Sequence, residues 1–122
     1  MASKYTALKR LATAQSLAAD FTTAATNVQD LDVISWKIAT ASITDNTGTF
    51  TFQVRDKDST SNQFGDWVDL DFSPAATLAD ANTTLYCEAK IRAVEARLKF
   101  TAAGGTPNGT AQIWVNAARL GA

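Results

Sequence analysis

A chain of 122 residues, 46% hydrophobic and 19% charged, is long enough for one folded domain and short of two. Its formal net charge of −1 gives no global field to draw in nucleic acid or an anionic membrane. With no histidine it lacks the commonest general base and the commonest metal ligand, so composition favours a binding or building part over a catalyst.

The N-terminus carries Lys4, Lys9 and Arg10 with no acid before Asp20, and no apolar stretch follows Lys4 as a secretory signal would require. Leu8, Leu11 and the alanines through Ala19 could share a helical face. Thr13, Ser16 and an alternation ending at Leu17 and Phe21 favour a flexible arm over residues 1–10 followed by an extended strand. The arm is either a solvated tail or a contact segment docking on a neighbour. Residues 11–122 then form a single domain.

From there the period is two. Ile34, Trp36 and Ile38 share a face between Leu31 and Ala41, and Phe50, Phe52 and Val54 do so within Thr49–Arg55. Val68, Leu70 and Phe72 alternate with Asp69 and Asp71 after Trp67. Leu85, Cys87, Ala89 and Ile91 oppose Tyr86, Glu88, Lys90 and Arg92. Val94–Phe100 alternates as strictly, and Ala111, Ile113 and Val115 close the series. Turn signals fall between these runs: Asp45-Asn46-Thr47-Gly48, the loop from Asp56 to Asp66, Ser73-Pro74, and Gly104 to Gly109. Strands with one polar face each, at this spacing, predict an all-β fold, an antiparallel β-sandwich of jelly-roll type.

Candidate chemistry is thin. Cys87 is in phase with Leu85 and Ala89, which predicts a buried, inert thiol, and a single cysteine forms no internal disulfide. Asp66, Asp69 and Asp71 flank Trp67 as the acids of a glycosidase would, but alternation sends Asp69 and Asp71 to solvent with no acids opposite. Asp56, Asp58, Thr60 and Asn62 are spaced like the oxygens of a calcium loop. Ser61 stands where that loop needs Gly and Trp67 where it needs Glu, so a polar hairpin loop is expected and no metal or cofactor. Lys90, Arg92, Arg97 and Lys99 are expected on the outer face of two neighbouring strands, where Glu88 and Glu95 pair with them; no nucleic-acid partner is predicted. No apolar run approaches the ~20 residues of a membrane helix, and no membrane partner is expected. The sequons at Asn82 and Asn108 mean little without a secretory route.

The tryptophans say more. Trp36 is in phase with the core. Trp114 falls between the inward Ile113 and Val115 and must point outward, where either a loop covers it or another chain does. Trp67 follows a glycine-containing loop and is expected to cap the end of the sandwich, with a binding edge as the other reading.

The run from Thr47 to Asp56, with its Thr-Gly-Thr-Phe start and Gln53, resembles short virion proteins of tailed bacteriophages, as does Asp66-Trp67-Val68-Asp69-Leu70. The strand Ala96–Thr101, the Gly109–Val115 strand and the opening Gln15–Phe21 extend the likeness over residues 12–122, although the Asp56–Asp66 loop is longer than usual there. The resemblance implies a non-enzymatic virion structural protein, made in the host cytoplasm, that binds the outer shell as a capsid decoration (cement) subunit. Its partners would be the major capsid protein or other virion proteins and further copies of itself, as a trimer or dimer. A tail or fibre component is the alternative within that class; a carbohydrate-binding module using Trp67 or Trp114 is the alternative outside it. The expected contact residues are Lys4, Tyr5, Leu8, Lys9 and Arg10 of the arm, with Trp114 and Trp67.

Overall fold

The computed structural model describes residues 4–5, 9–71 and 76–119, for residues 4–5 the backbone alone. The described strands are β1 (Lys4–Tyr5), β2 (Lys9–Ser16), β3 (Phe21–Thr22), β4 (Thr26–Asn27), β5 (Val33–Ala41), β6 (Thr49–Arg55), β7 (Val68–Leu70), β8 (Ala76–Thr77), β9 (Thr84–Lys90), β10 (Glu95–Thr101) and β11 (Thr110–Arg119). They form two antiparallel sheets. Sheet A runs β2-β11-β5-β9, with β1 also on β11; sheet B runs β3-β10-β6-β7, with β4 on β10 and β8 on β6. The chain changes sheet at six of the ten connections between described strands: β2 to β3, β4 to β5, β5 to β6, β8 to β9, β9 to β10 and β10 to β11. Two four-membered orders interleaved in this way make the jelly-roll β-sandwich that the alternation predicts.

The inward residues of both sheets meet in one core. Ile34, Trp36 and Ile38 of β5 and Ile113 and Val115 of β11 face Phe50 and Phe52 of β6 and Leu98 and Phe100 of β10, all at 1% exposure or less. Phe50 and Phe100 lie 4.7 Å apart by ring centroids and Phe21 joins them at 5.5 Å from Phe100; Trp36 meets Phe52 edge-on at 6.2 Å. Each such side chain contributes roughly 1.5–3 kcal/mol by leaving water.

The loops at one end are tied by a buried amide. Asn46 Nδ2 donates to the carbonyls of Leu17 (2.9 Å) and Asn108 (3.0 Å), its Oδ1 accepts from Gly48 N–H (2.9 Å), and its own N–H donates to Asp80 Oδ1 (2.8 Å). Asn108 Oδ1 in turn accepts from the Thr44 and Asp45 amides, and Asn82 Oδ1 from the Ile43 amide, so both sequon asparagines are structural. Gly109 holds φ near +102° and a Cβ there would stand 2.5 Å from Ile43 Cγ1; at Gly48 a Cβ would enter the ring of Phe100.

Four expectations need correction. The arm does not hang free to Arg10: Lys4–Tyr5 pairs with Ala118–Arg119, and Lys9 and Arg10 open β2 opposite Val115 and Trp114. The following strand ends at Ser16, and Phe21 belongs to the other sheet. Lys90 and Arg97 do not share a face, because β9 and β10 enter different sheets. Val68 is 55% exposed rather than core, since β7 is an edge strand at the open side of the sandwich. Leu8, Phe72 and the Ser73-Pro74 turn lie outside the described residues.

Candidate functional site

On the outer face of sheet A, the register sets Arg10, Trp114, Lys37 and Tyr86 in one row across β2, β11, β5 and β9. Lys37 Nζ sits 4.8 Å from the Trp114 ring centroid and 5.6 Å from that of Tyr86. Trp114 does point outward, half-buried; what lies over its ring is this lysine from the adjacent strand. Tyr86 at the end of the row is 65% exposed, the most exposed large hydrophobic side chain described. Sequence reasoning placed Tyr86 on a polar face but could not see that strand order would bring it beside Lys37 and Trp114.

The outer face of sheet B is a different surface. Trp67 is half-buried there and does not cap the end of the sandwich: the Arg55 and Arg97 guanidiniums lie 4.5 and 4.2 Å from its ring centroid. Arg55 also lies 4.0 Å from Phe64, and Lys57 is 5.4 Å from that same ring, so cations and rings alternate in layers. Beneath them Arg97 Nε donates to Gln53 Oε1 (2.8 Å) and Gln53 Nε2 donates to Asp69 Oδ1 (2.7 Å), a chain across three strands. That chain explains why Gln53, outward by phase, is 6% exposed. Arg55 Nε donates to Glu95 at 2.8 Å. Partial burial, and after it the charge of Arg55, pull the Arg97 guanidinium below its ordinary value.

The loop from Asp56 to Asp66 is a small hairpin with Lys57 bridged to Phe64. Asp58 Oδ1 accepts from the Thr60 amide (2.8 Å) and the Ser61 amide (3.4 Å), Asn62 takes φ near +60°, and Gly65 N–H returns to Asp56 O. The Thr60 amide, then that of Ser61, hold the Asp58 carboxyl below the usual carboxylate range. Of the oxygens spaced like a calcium loop, that of Asp58 thus closes an Asx turn. Among the described residues no group of three or more Cys, Asp or Glu side chains converges as metal ligands would. Asp69 is held by the amide of Gln53 and not by a second carboxylate.

Comparison with protein-family models, curated proteins and solved structures finds no match for this chain.

Cys87 is 1% exposed, and burial pushes its thiol up to about 11, which removes it as a nucleophile near neutral pH. An apolar cleft of about 530 Å³ lies at the open side of the sandwich. Val33, Val54, Leu70 and Ile91 wall it, and Asp32, Glu88, Lys90 and Arg92 form its rim. Arg92 Nη1 reaches Asp32 at 3.7 Å while 90% exposed.

Proposed function

We propose that this chain is a non-enzymatic structural protein of a tailed-bacteriophage particle that decorates the outer capsid and strengthens it. The observation that carries the reading is the Arg10–Trp114–Lys37–Tyr86 row, a broad aromatic and cationic strip on the outer face of sheet A. Rings of this kind, flanked by polar groups and set on a rigid sheet, are what dominate protein contacts. The sequence resemblance supplies the class of partner. A subunit that binds the assembled lattice and not the free capsid chain stabilises the lattice by mass action. β1 and β2 lie at the same end of sheet A as Trp114, so arm and strip would form one continuous contact surface.

The test is co-sedimentation of purified protein with purified shells, alongside a Trp114→Ala/Tyr86→Ala variant. The wild-type chain should pellet with the shells and raise their melting temperature. Loss of the two rings should weaken binding about 30-fold, equivalent to about 2 kcal/mol, if they form the centre of the contact. Wild-type protein that stays in the supernatant would overturn the capsid reading. Retention of a wild-type sample on a glycan array, lost in the double variant, would replace it with carbohydrate binding.

A further inference from the structure

We propose that two copies of this chain join edge to edge through β9, making one sheet that runs through both molecules about a two-fold axis at Ala89.

β9 pairs with β5 on one side, and among the described residues nothing pairs with its other side. The hydrogen-bond phase shows which groups are free there. Ile91 N–H donates to Asp32 O and Thr83 O accepts from Thr40 N–H, so odd-numbered residues bond to β5. The backbone N–H and C=O of Thr84, Tyr86, Glu88 and Lys90 therefore point to the free edge, since alternate residues of an antiparallel strand serve opposite neighbours. The two edges of sheet A are also treated differently. β2 breaks register twice along β11, an irregularity that blunts an edge, whereas β9 keeps unbroken register over seven residues with no proline and no bulge. A long regular edge is a template for another strand.

The charge pattern identifies the second strand as a copy of the first. With the axis at Ala89, Glu88 stands opposite Lys90 of the other copy twice over, and Tyr86 opposite Arg92 twice over. The neighbouring registers are worse: an axis at Glu88 sets Glu88 against itself, one at Lys90 sets Lys90 against itself, and one at Cys87 leaves both charges without a partner. Like charges directly opposite destabilise a sheet and opposite charges support it. On the inner side the chosen axis sets Cys87 opposite Ile91 and Ala89 opposite Ala89, so that buried side chains continue across the join. The apolar cleft opens beside this same edge, with Ile91 in its wall and Glu88, Lys90 and Arg92 on its rim. The axis brings the two clefts to the join, where each copy covers apolar wall left open in the other, an isologous contact. Nothing in this pairing depends on what the molecule decorates.

Light scattering on the full chain, diluted from about 100 µM, where an interface of ordinary size is saturated, reads the oligomer directly. The expected mass is that of two chains. Lys90→Glu and Glu88→Lys, each on an exposed outward position, should each raise the dissociation constant at least about 30-fold with an unchanged circular dichroism spectrum. The combined Glu88→Lys/Lys90→Glu variant restores opposite charges across the axis and should dimerise again. A monomer at the highest concentration would overturn the proposal. So would an oligomer indifferent to the single reversals, or a combined variant that stays apart.

Discussion

Asn46 links the β5–β6 connection to the loops at Leu17 and Asn108 through one fully buried side-chain amide, and to Asp80 through its backbone N–H. Cutting it back to alanine strands the buried Leu17 carbonyl and Gly48 N–H and takes the partner from the half-buried Asn108 carbonyl, and a buried group without a partner costs about 1–3 kcal/mol. Asn46→Ala should therefore lose about 3 kcal/mol in urea unfolding, more than its size suggests. Cys87 gives a second expectation. A thiol's ordinary value is 9.0 and burial holds this one near 11 in the folded chain. Between those values the unfolded chain carries fewer protons than the folded one, so this group makes stability fall as pH rises from about 9 towards 11 and leaves it unchanged below. Unfolding midpoints measured from pH 7 to 11 should show that decline, and Cys87→Ala should flatten it. The same burial predicts that a thiol reagent at pH 7.5 reacts at the rate of unfolding and no faster.

Among the elements, the 56–66 hairpin is held to sheet B by stacking more than by apolar burial. Trp67 joins Arg55 and Arg97, and Phe64 adds a second ring on Arg55. Trp67→Ala should cost only about 1 kcal/mol of global stability, in line with partly exposed cation–π contacts. It should increase trypsin cleavage after Lys57 several-fold. How much of this could be read from the sequence follows from what alternation reports. The long strands β5, β6, β9, β10 and β11 were legible because one face of each is covered along nearly its whole length, and Trp114 was legible as outward from its place between Ile113 and Val115. The two-residue strands β3, β4 and β8 are too short to show a period. Val68 shows the limit of the method: alternation tells which residues share a face and not whether the opposite sheet reaches far enough to cover it. The layering of Trp67 on Arg55 and Arg97 depends on which strands lie side by side. So does the meeting of Lys37 with Trp114 and Tyr86, and strand order is set by the whole fold.

At the scale of the molecule, the strands that pair are mostly far apart in the chain. β2 meets β11, β5 meets β11 and β9, and β10 reaches back to β3 and β6. Loop closure must precede the contacts that offset it, and folds of this kind form in about milliseconds to seconds. Stopped-flow refolding of a Trp67→Phe/Trp114→Phe variant, followed by the fluorescence of buried Trp36, should fall in that range, with no microsecond phase that carries most of the signal. β11 holds sheet A together from both sides, so a chain ending at residue 109 should show no cooperative unfolding transition.

β1 lies antiparallel against the last two residues of β11, Lys4 beside Arg119, so the first and last described strands finish at the same corner of the sandwich. A linear order of strands is thus only one way of writing this solid. Splicing the two ends and reopening the chain in the exposed turn between Ser59 and Thr60 would leave every strand ladder uncut. The circular permutant would begin with β7 and end with β6, two neighbours in sheet B, while building the same jelly roll from a different first residue.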